Sequence, residues 1–308
     1  MANGATALPG GTATAVAAPR RRNYARRYGW FIVPAGVVVL AVILFPWAFT
    51  LFMSAHEWKI GGGHHFVGLD NYRKLFTDER FLWSVARTFY FTALAVVLPM
   101  IFGVAAAMVF SRNFPLRGLA RTIFILPMMA TPVAVALVWT MMFHPQLGVL
   151  NWLLTQFGIP PSMWIYDART VIPTLVMVEV WHWTPLVMLI VLGGLASLPI
   201  DPYEAAKIDG ASPWQSFRHI TWPLLLPFIV VALIIRTIDA LKAFDTIYVI
   251  TQGGPGTSSE TINIFLYLQG FAYYNMGYAS AVVVVFFLLI VSLAALLLWT
   301  RNRVKDAA

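Results

Sequence analysis

Six long apolar runs alternate with short polar stretches along the chain: Trp30–Met53, Thr88–Phe110, Thr122–Phe143, Thr170–Leu195, Leu224–Ile250 and Met276–Trp299. Each holds 22 to 27 residues. At about 1.5 Å of rise per residue, any of them crosses a hydrocarbon layer of about 30 Å as a helix. A transmembrane β-barrel needs segments of about ten residues with strict alternation, and no stretch has that period. The pattern therefore predicts an all-α membrane bundle of six spans. Pro34, Pro46, Pro99, Pro127, Pro132 and Pro185 fall inside the runs, where neighbouring helices can satisfy the carbonyls that proline frees.

Composition agrees and closes other routes. Of 308 residues, 59% are hydrophobic and only 11% charged, against about 25% charged in soluble domains. A soluble globular enzyme is thereby excluded. Cysteine is absent, which removes disulfides, thiolate metal sites and cysteine nucleophiles from consideration. Residues 1–27 differ from the rest. An Ala/Gly/Thr/Pro mixture leads into Arg20, Arg21, Arg22, Arg26 and Arg27, which reads as a disordered arm with a basic anchor. The apolar run that follows is too long for a signal-peptide core, so it is read as an uncleaved first span. Residues 28–305 form the membrane domain, and 306–308 a short tail.

The net charge of +8 is distributed unevenly. Stretches on one side of the spans, among them 1–27, 111–121, 201–223 and 300–308, carry thirteen Lys/Arg against four acids. The opposite side balances six against six, and the spans hold Arg236 and Lys242 against Glu179, Asp239 and Asp245. Lys/Arg-rich loops stay in the cytoplasm, which places both termini there. The excess charge sets topology and is no nucleic-acid footprint.

The segment 201–227, DPYEAAKIDGASPWQSFRHITWPLLLP, holds two helix starts. Asp201, Pro202 and Glu204 fit an N-cap, a first helical position and the third residue of a capping box; Ser212, Pro213 and Gln215 repeat the pattern. Asp209-Gly210 between them reads as a turn. The sequence predicts a short helix over 202–208 that exposes Ala205 and Ala206, a sharp corner, and a second helix from Pro213 into the fifth span. By these residues alone, a solvated connecting loop fits equally well.

Glu204-Ala205-Ala206, Asp209-Gly210-Ala211, Phe217, Ile220, Pro223 and Pro227 resemble the EAA signature of binding-protein-dependent ABC importer permeases. Phe66–Tyr72 and Phe244–Val249, leading into Gly253-Gly254-Pro255, are similar to the sugar-permease branch with the maltose-type F and glycerol-phosphate-type A subunits. The resemblance covers roughly 28–305. It departs at Trp222, where the family usually has Leu, and at Arg87-Thr88, which stands for a frequent Asn-Thr.

The resemblance implies a type I ABC importer permease, working by alternating access, for a sugar, polyol or modified carbohydrate, sugar-phosphates and sulfo-sugars included. It implies partners: a second homologous permease, two cytoplasmic ATPase subunits, and an extracytoplasmic substrate-binding protein, all in or at a bacterial inner membrane. ATP and Mg would be bound by the ATPase subunits, with no cofactor in this chain. Residues 201–223 would couple to the ATPase. There Glu204 makes polar contacts, Ala205 and Ala206 allow close approach, Gly210 forms the corner, and Asp209, Ile220 and Pro223 complete the motif. No G-x-x-x-x-G-K-[ST] occurs in the chain, in keeping with an ATPase site on another chain.

Ionisable groups inside spans are costly and mark paths or pairs. Arg236, Asp239, Lys242 and Asp245 recur every three residues in the fifth run, so on one helix opposite charges can pair while the set spirals over half the circumference. Lining a water-filled path and holding the bundle statically both fit. In the fourth run Glu179, Trp181, His182 and Trp183 combine ring faces with a carboxylate, as carbohydrate sites do. Membrane-belt tryptophans and a backbone-bonded histidine fit as well. No metal site is assigned. Segments 55–81, 144–168 and 251–275 provide a docking face for a binding protein. Two other functions compete. An ion-coupled secondary transporter would use the fifth run's charges and needs inverted repeats, which the chain does not show. A membrane enzyme with Glu179 and His182 as an acid–base pair lacks a nucleophile.

Overall fold

A computed structural model describes residues 24–58 and 61–306. The expected arm lies outside the described residues up to 23, and the tail beyond 306 does so too. The first helix, α1 (Tyr24–Ser54), begins inside the stretch expected to be an arm. Arg26 and Arg27 therefore stand on it, as good helix formers can. The chain divides into two compact units, 1–49 and 50–308. The part of α1 in the first unit is an apolar helix with Pro34 and Pro46 inside it.

The second unit begins with a small antiparallel hairpin, β1 (His56–Trp58) and β2 (His64–Phe66), in which His56 pairs with Phe66. Short α2 (Asp70–Thr77) follows, and then α3 (Glu79–Phe110), capped by the Asp78 carboxylate, which accepts from the amides of Arg80 and Phe81. Next come α4 (Arg117–Met129), α5 (Pro132–Met142), α6 (Val149–Gln156) and α7 (Val171–Ala196). After α8 (Asp201–Ile208) and α9 (Pro213–Ser216), a π turn over Phe217–Thr221 feeds α10 (Trp222–Leu241). The chain closes with α11 (Asp245–Thr251), α12 (Ile262–Tyr267), a second π turn (Leu268–Ala272) and α13 (Met276–Asp306).

Among the described residues, five helices are long and apolar enough to cross a membrane, and α4 with α5 makes a sixth if the bent pair counts as one span. The fold is an all-α bundle carrying one two-stranded hairpin. Two of the expected spans are not straight. The third breaks by 98° between Met129 and Pro132. Thr131, forced out of helical geometry by the proline after it, is extended (φ −70°, ψ 143°), and its hydroxyl caps α5 by accepting from Ala134. The fifth ends at Leu241 and restarts at Asp245. No Gly or Pro stands at 242–244. The Asn263 side chain instead donates to the Leu241 and Ala243 carbonyls at 3.1 and 3.3 Å, satisfying groups the break would leave bare.

The core forms where α3, α7 and α10 pack, with Phe91, Leu175, Met188 and Leu225 fully buried. Gly103 lets α3 and α7 approach. A Cβ there would lie 2.6 Å from Val187 Cβ and 3.1 Å from the Met188 amide nitrogen. Gly103→Val is expected to push these helices apart at a cost of about 1–3 kcal/mol. The readout is the melting temperature of the purified complex, and an unchanged value would refute this close approach. Arg80 forks onto the buried Glu260 carboxylate at 2.7 and 2.8 Å, pinning the segment after α11 to the start of α3.

Candidate functional site

The break between α10 and α11 opens a polar cavity of about 210 Å³, lined by Pro132, Glu179, Trp183, Asp239, Lys242, Ala243, Phe244, Asp245 and Thr246. Its floor is built on Arg236, whose side chain is completely buried. Nη2 donates to Glu179 Oε2 on α7 at 3.1 Å and to the Ala95 carbonyl on α3 at 3.0 Å. Nη1 donates to Asp239 Oδ2, one turn along α10, at 2.6 Å. The guanidinium also lies 5.0 Å from the centre of the Trp183 ring, a cation–π distance. One side chain thus ties three helices together and fixes two residues of the cavity wall. A buried guanidinium needs this many acceptors, because a charge removed from water without partners is not tolerated.

The charges expected along one helix are therefore distributed differently. Arg236 and Asp239 pair on the last turns of α10, Lys242 caps it, and Asp245 opens α11. Helical periodicity stops at the break, and the turn, not a continuous helix face, brings Lys242 and Asp245 to the cavity. The aromatic group of α7 also divides. Trp183 lines the polar cavity. Trp181 packs edge-on against Trp139 with centroids 5.7 Å apart and lines a separate apolar cavity of about 630 Å³ with Phe102 and Phe124. His182 is buried, and its Nε2 donates to the Ala130 carbonyl at 3.3 Å, at the bend between α4 and α5. Phe244, Thr246 and Pro132 complete the cavity. Phe244 and Thr246 fall within the stretch that carries the sugar-permease resemblance and Pro132 is one of the prolines inside the runs, but they meet the cavity only through the two helix breaks. Among the described residues, no group of three His, Asp or Glu could hold a metal ion.

The second region is the corner between α8 and α9. Gly210 takes φ +73°, a conformation costly for any residue with a Cβ. Its amide donates to the Lys207 carbonyl at 3.2 Å, and that of Ala211 to Ala206 at 2.9 Å, the pair of bonds that closes a helix with glycine just past its end. The Ser212–Gln215 capping box forms, with Ser212 N donating to Gln215 Oε1 at 2.7 Å. The first box does not. Ile200 occupies the N-cap and Asp201 is already helical, its charge favouring the helix start from inside the first turn. Glu204 and Ala205 are exposed, but Ala206 is buried and packs inward, contrary to its expected exposure. Asp209, Gly210 and Ile220 line a concavity of about 290 Å³ with Gln215 and His219, while Pro223 lies exposed at the start of α10. Tyr203 braces α8 by donating to Thr221 Oγ1 at 3.0 Å.

Residues 99–306 match the family described as binding-protein-dependent transport system inner membrane component. The chain is 37% identical over 265 residues to the trehalose/maltose transport system permease protein MalF of Thermococcus litoralis, covering 85% of this chain and 88% of that protein. It is 32% identical over 278 residues to the sulfoquinovosyl glycerol transport system permease protein SmoG of Agrobacterium fabrum, covering 89% and 90%. Its fold is that of a chain in the crystal structure of a bacterial ABC transporter for import of the acidic polysaccharide alginate, with a TM-score of 0.80 at 20% identity over 91% of this chain and 97% of that one.

Proposed function

Because this chain belongs to the family of binding-protein-dependent transport system inner membrane components, we propose that it is the permease half of an ABC importer that carries a carbohydrate through the cavity between α10 and α11. The membership makes it a transport component and not an ATPase. The carbohydrate reading rests on the Arg236-anchored cavity. A fixed indole ring, carboxylates that only accept hydrogen bonds and an ammonium that only donates are what a polyhydroxylated ring requires. The sugar-transport relatives support the same substrate class.

In this reading a second permease supplies the other wall of the path, and an extracytoplasmic binding protein delivers the solute. Two cytoplasmic ATPase subunits, holding ATP and Mg, close against the corner at Gly210. Glu204 and Ala205 meet the ATPase directly. Ala206 supports them from within, and Asp209, Ile220 and Pro223 shape and carry the corner. Both termini lie in the cytoplasm of a bacterium whose inner membrane holds the complex. The chain contributes no bond-making chemistry; it shifts between inward- and outward-open states as the ATPase binds and hydrolyses ATP.

Uptake of the solute retained by the co-purified binding protein, measured in vesicles, is expected to stop when ATP is withdrawn while proton and sodium gradients persist. Uptake sustained by a gradient alone would replace this reading with an ion-coupled transporter using Lys242 and Asp245.

A further inference from the structure

Phe244, which lines the polar cavity, is the inner end of a run of aromatic rings. It stacks on Tyr248 with centroids 5.2 Å apart and planes 14° from parallel, and it meets Tyr267 at 5.3 Å. Tyr248 and Tyr267 lie edge to face at 4.8 Å, with hydroxyls 3.4 Å apart. Tyr267 stacks on Phe271 at 5.4 Å, and Phe271 is 65% exposed. Phe244 and Tyr248 rest against the main core, whereas Tyr267 and Phe271 belong to neither hydrophobic cluster. Core packing therefore accounts for the inner half of the run and not for the outer half.

We propose that Phe244, Tyr248, Tyr267 and Phe271 form the external limb of the substrate path, a ladder of rings that passes an uncharged glycoside to the cavity. The inference rests on the reading of that cavity as part of the path. Sugar C–H faces stack on aromatic rings, and steps of about 5 Å let a pyranose contact the next ring before leaving the last. The ladder carries no ionisable group of either sign other than phenols. At its inner end three carboxylates, Glu179, Asp239 and Asp245, face Lys242 and the buried Arg236, an excess of one negative charge when all are ionised. With all three carboxylates ionised, an anionic sugar meets net repulsion there, while hydroxyl donors meet acceptors.

The absence of cysteine allows a direct test in the assembled, vanadate-trapped complex with single variants Phe271→Cys, Tyr267→Cys, Phe244→Cys and Ala243→Cys. Two thiol reagents are applied from outside, a glucosyl methanethiosulfonate and the anionic sulfonatoethyl methanethiosulfonate. The glucosyl reagent is expected to label all four positions. The sulfonate's rate relative to it is expected to fall about tenfold from position 271 to 244, the effect of about 1.4 kcal/mol of charge repulsion. Recovery of each variant as an intact complex in size-exclusion chromatography, with an unchanged melting temperature, verifies that it is folded. Labelling at Ala243→Cys without labelling at Tyr267→Cys overturns the ladder and leaves the cavity reading standing. Protection at both positions overturns the cavity reading as well. Equal relative rates along the ladder overturn the selection for uncharged sugars.

Discussion

Gly210→Val is expected to abolish the stimulation of ATP hydrolysis by loaded binding protein, while the chain still inserts and assembles. The expectation follows from backbone geometry alone. Gly210 sits at φ +73°, and a Cβ there would have no atom within 4 Å. Space is therefore not the constraint. The penalty is conformational, about 1–2 kcal/mol for an ordinary residue in the left-handed region and more for a β-branched one. Valine relieves it by opening the corner, which loses the Ala211-to-Ala206 and Gly210-to-Lys207 bonds and re-aims α8 relative to α9. A docking element that is misdirected transmits nothing, however intact its own residues are. Gly210→Asn is the informative companion, since asparagine tolerates positive φ; it should retain much of the stimulation. Measured in proteoliposomes, unchanged stimulation in the valine variant would sink the coupling role of this corner.

The second large effect is expected at Arg236. Arg236→Met removes the cation paired with Glu179, a carboxylate 3% exposed between α3, α7 and α10. Breaking a buried pair from one side typically costs about 3–5 kcal/mol, because the remaining charge is left uncompensated. Folded complex recovered in detergent should fall sharply, with a lower melting temperature. Arg236→Met combined with Glu179→Gln removes both charges and should restore much of the loss, since a neutral pair of similar volume is well tolerated. Asp239, with its side chain 45% exposed, can rehydrate at the cavity and adds little to the penalty. Wild-type stability in the single variant would show that Arg236 does not anchor the three helices. The restored double variant also separates folding from transport. Its Trp183 ring has lost the guanidinium beneath it and its Asp239 has lost its donor, so weaker uptake with normal stability would identify Arg236 as a positioning residue for the path.

Much of the fold is legible in the sequence because the bilayer imposes a one-dimensional rule. A run of about twenty apolar residues has one way to satisfy its backbone in hydrocarbon, so the helical character of each run follows from hydropathy, though not the breaks within the third and fifth. The corner at Gly210 is legible for a similar reason. Glycine after a helix and Ser-Pro-x-Gln after glycine are local signals, and the bonds they predict are the ones that form. Pro132 is also a local signal, but proline alone does not distinguish a tolerated kink from a break. Pro99 and Pro185 stay within continuous helices, while Pro132 follows Thr131, whose hydroxyl restarts the helix.

The site was legible only in its parts list. Glu179, Trp183, Arg236, Asp239, Lys242 and Asp245 stand out as polar or aromatic residues in apolar runs, and all of them meet at or beneath one cavity. Trp181 and His182, equally conspicuous, lie elsewhere, because adjacent residues on a helix point about 100° apart.

What the sequence determined by itself was the all-α character of the bundle and the glycine corner, since each depends on local composition or spacing. Only the tertiary structure decided where the fifth span stops. Asn263, twenty or more residues away, supplies donors to the Leu241 and Ala243 carbonyls where they leave the helix ladder. That distant amide satisfies the carbonyls which the break would otherwise leave bare. With it, a continuous row of charges becomes a cavity with Arg236 as its floor.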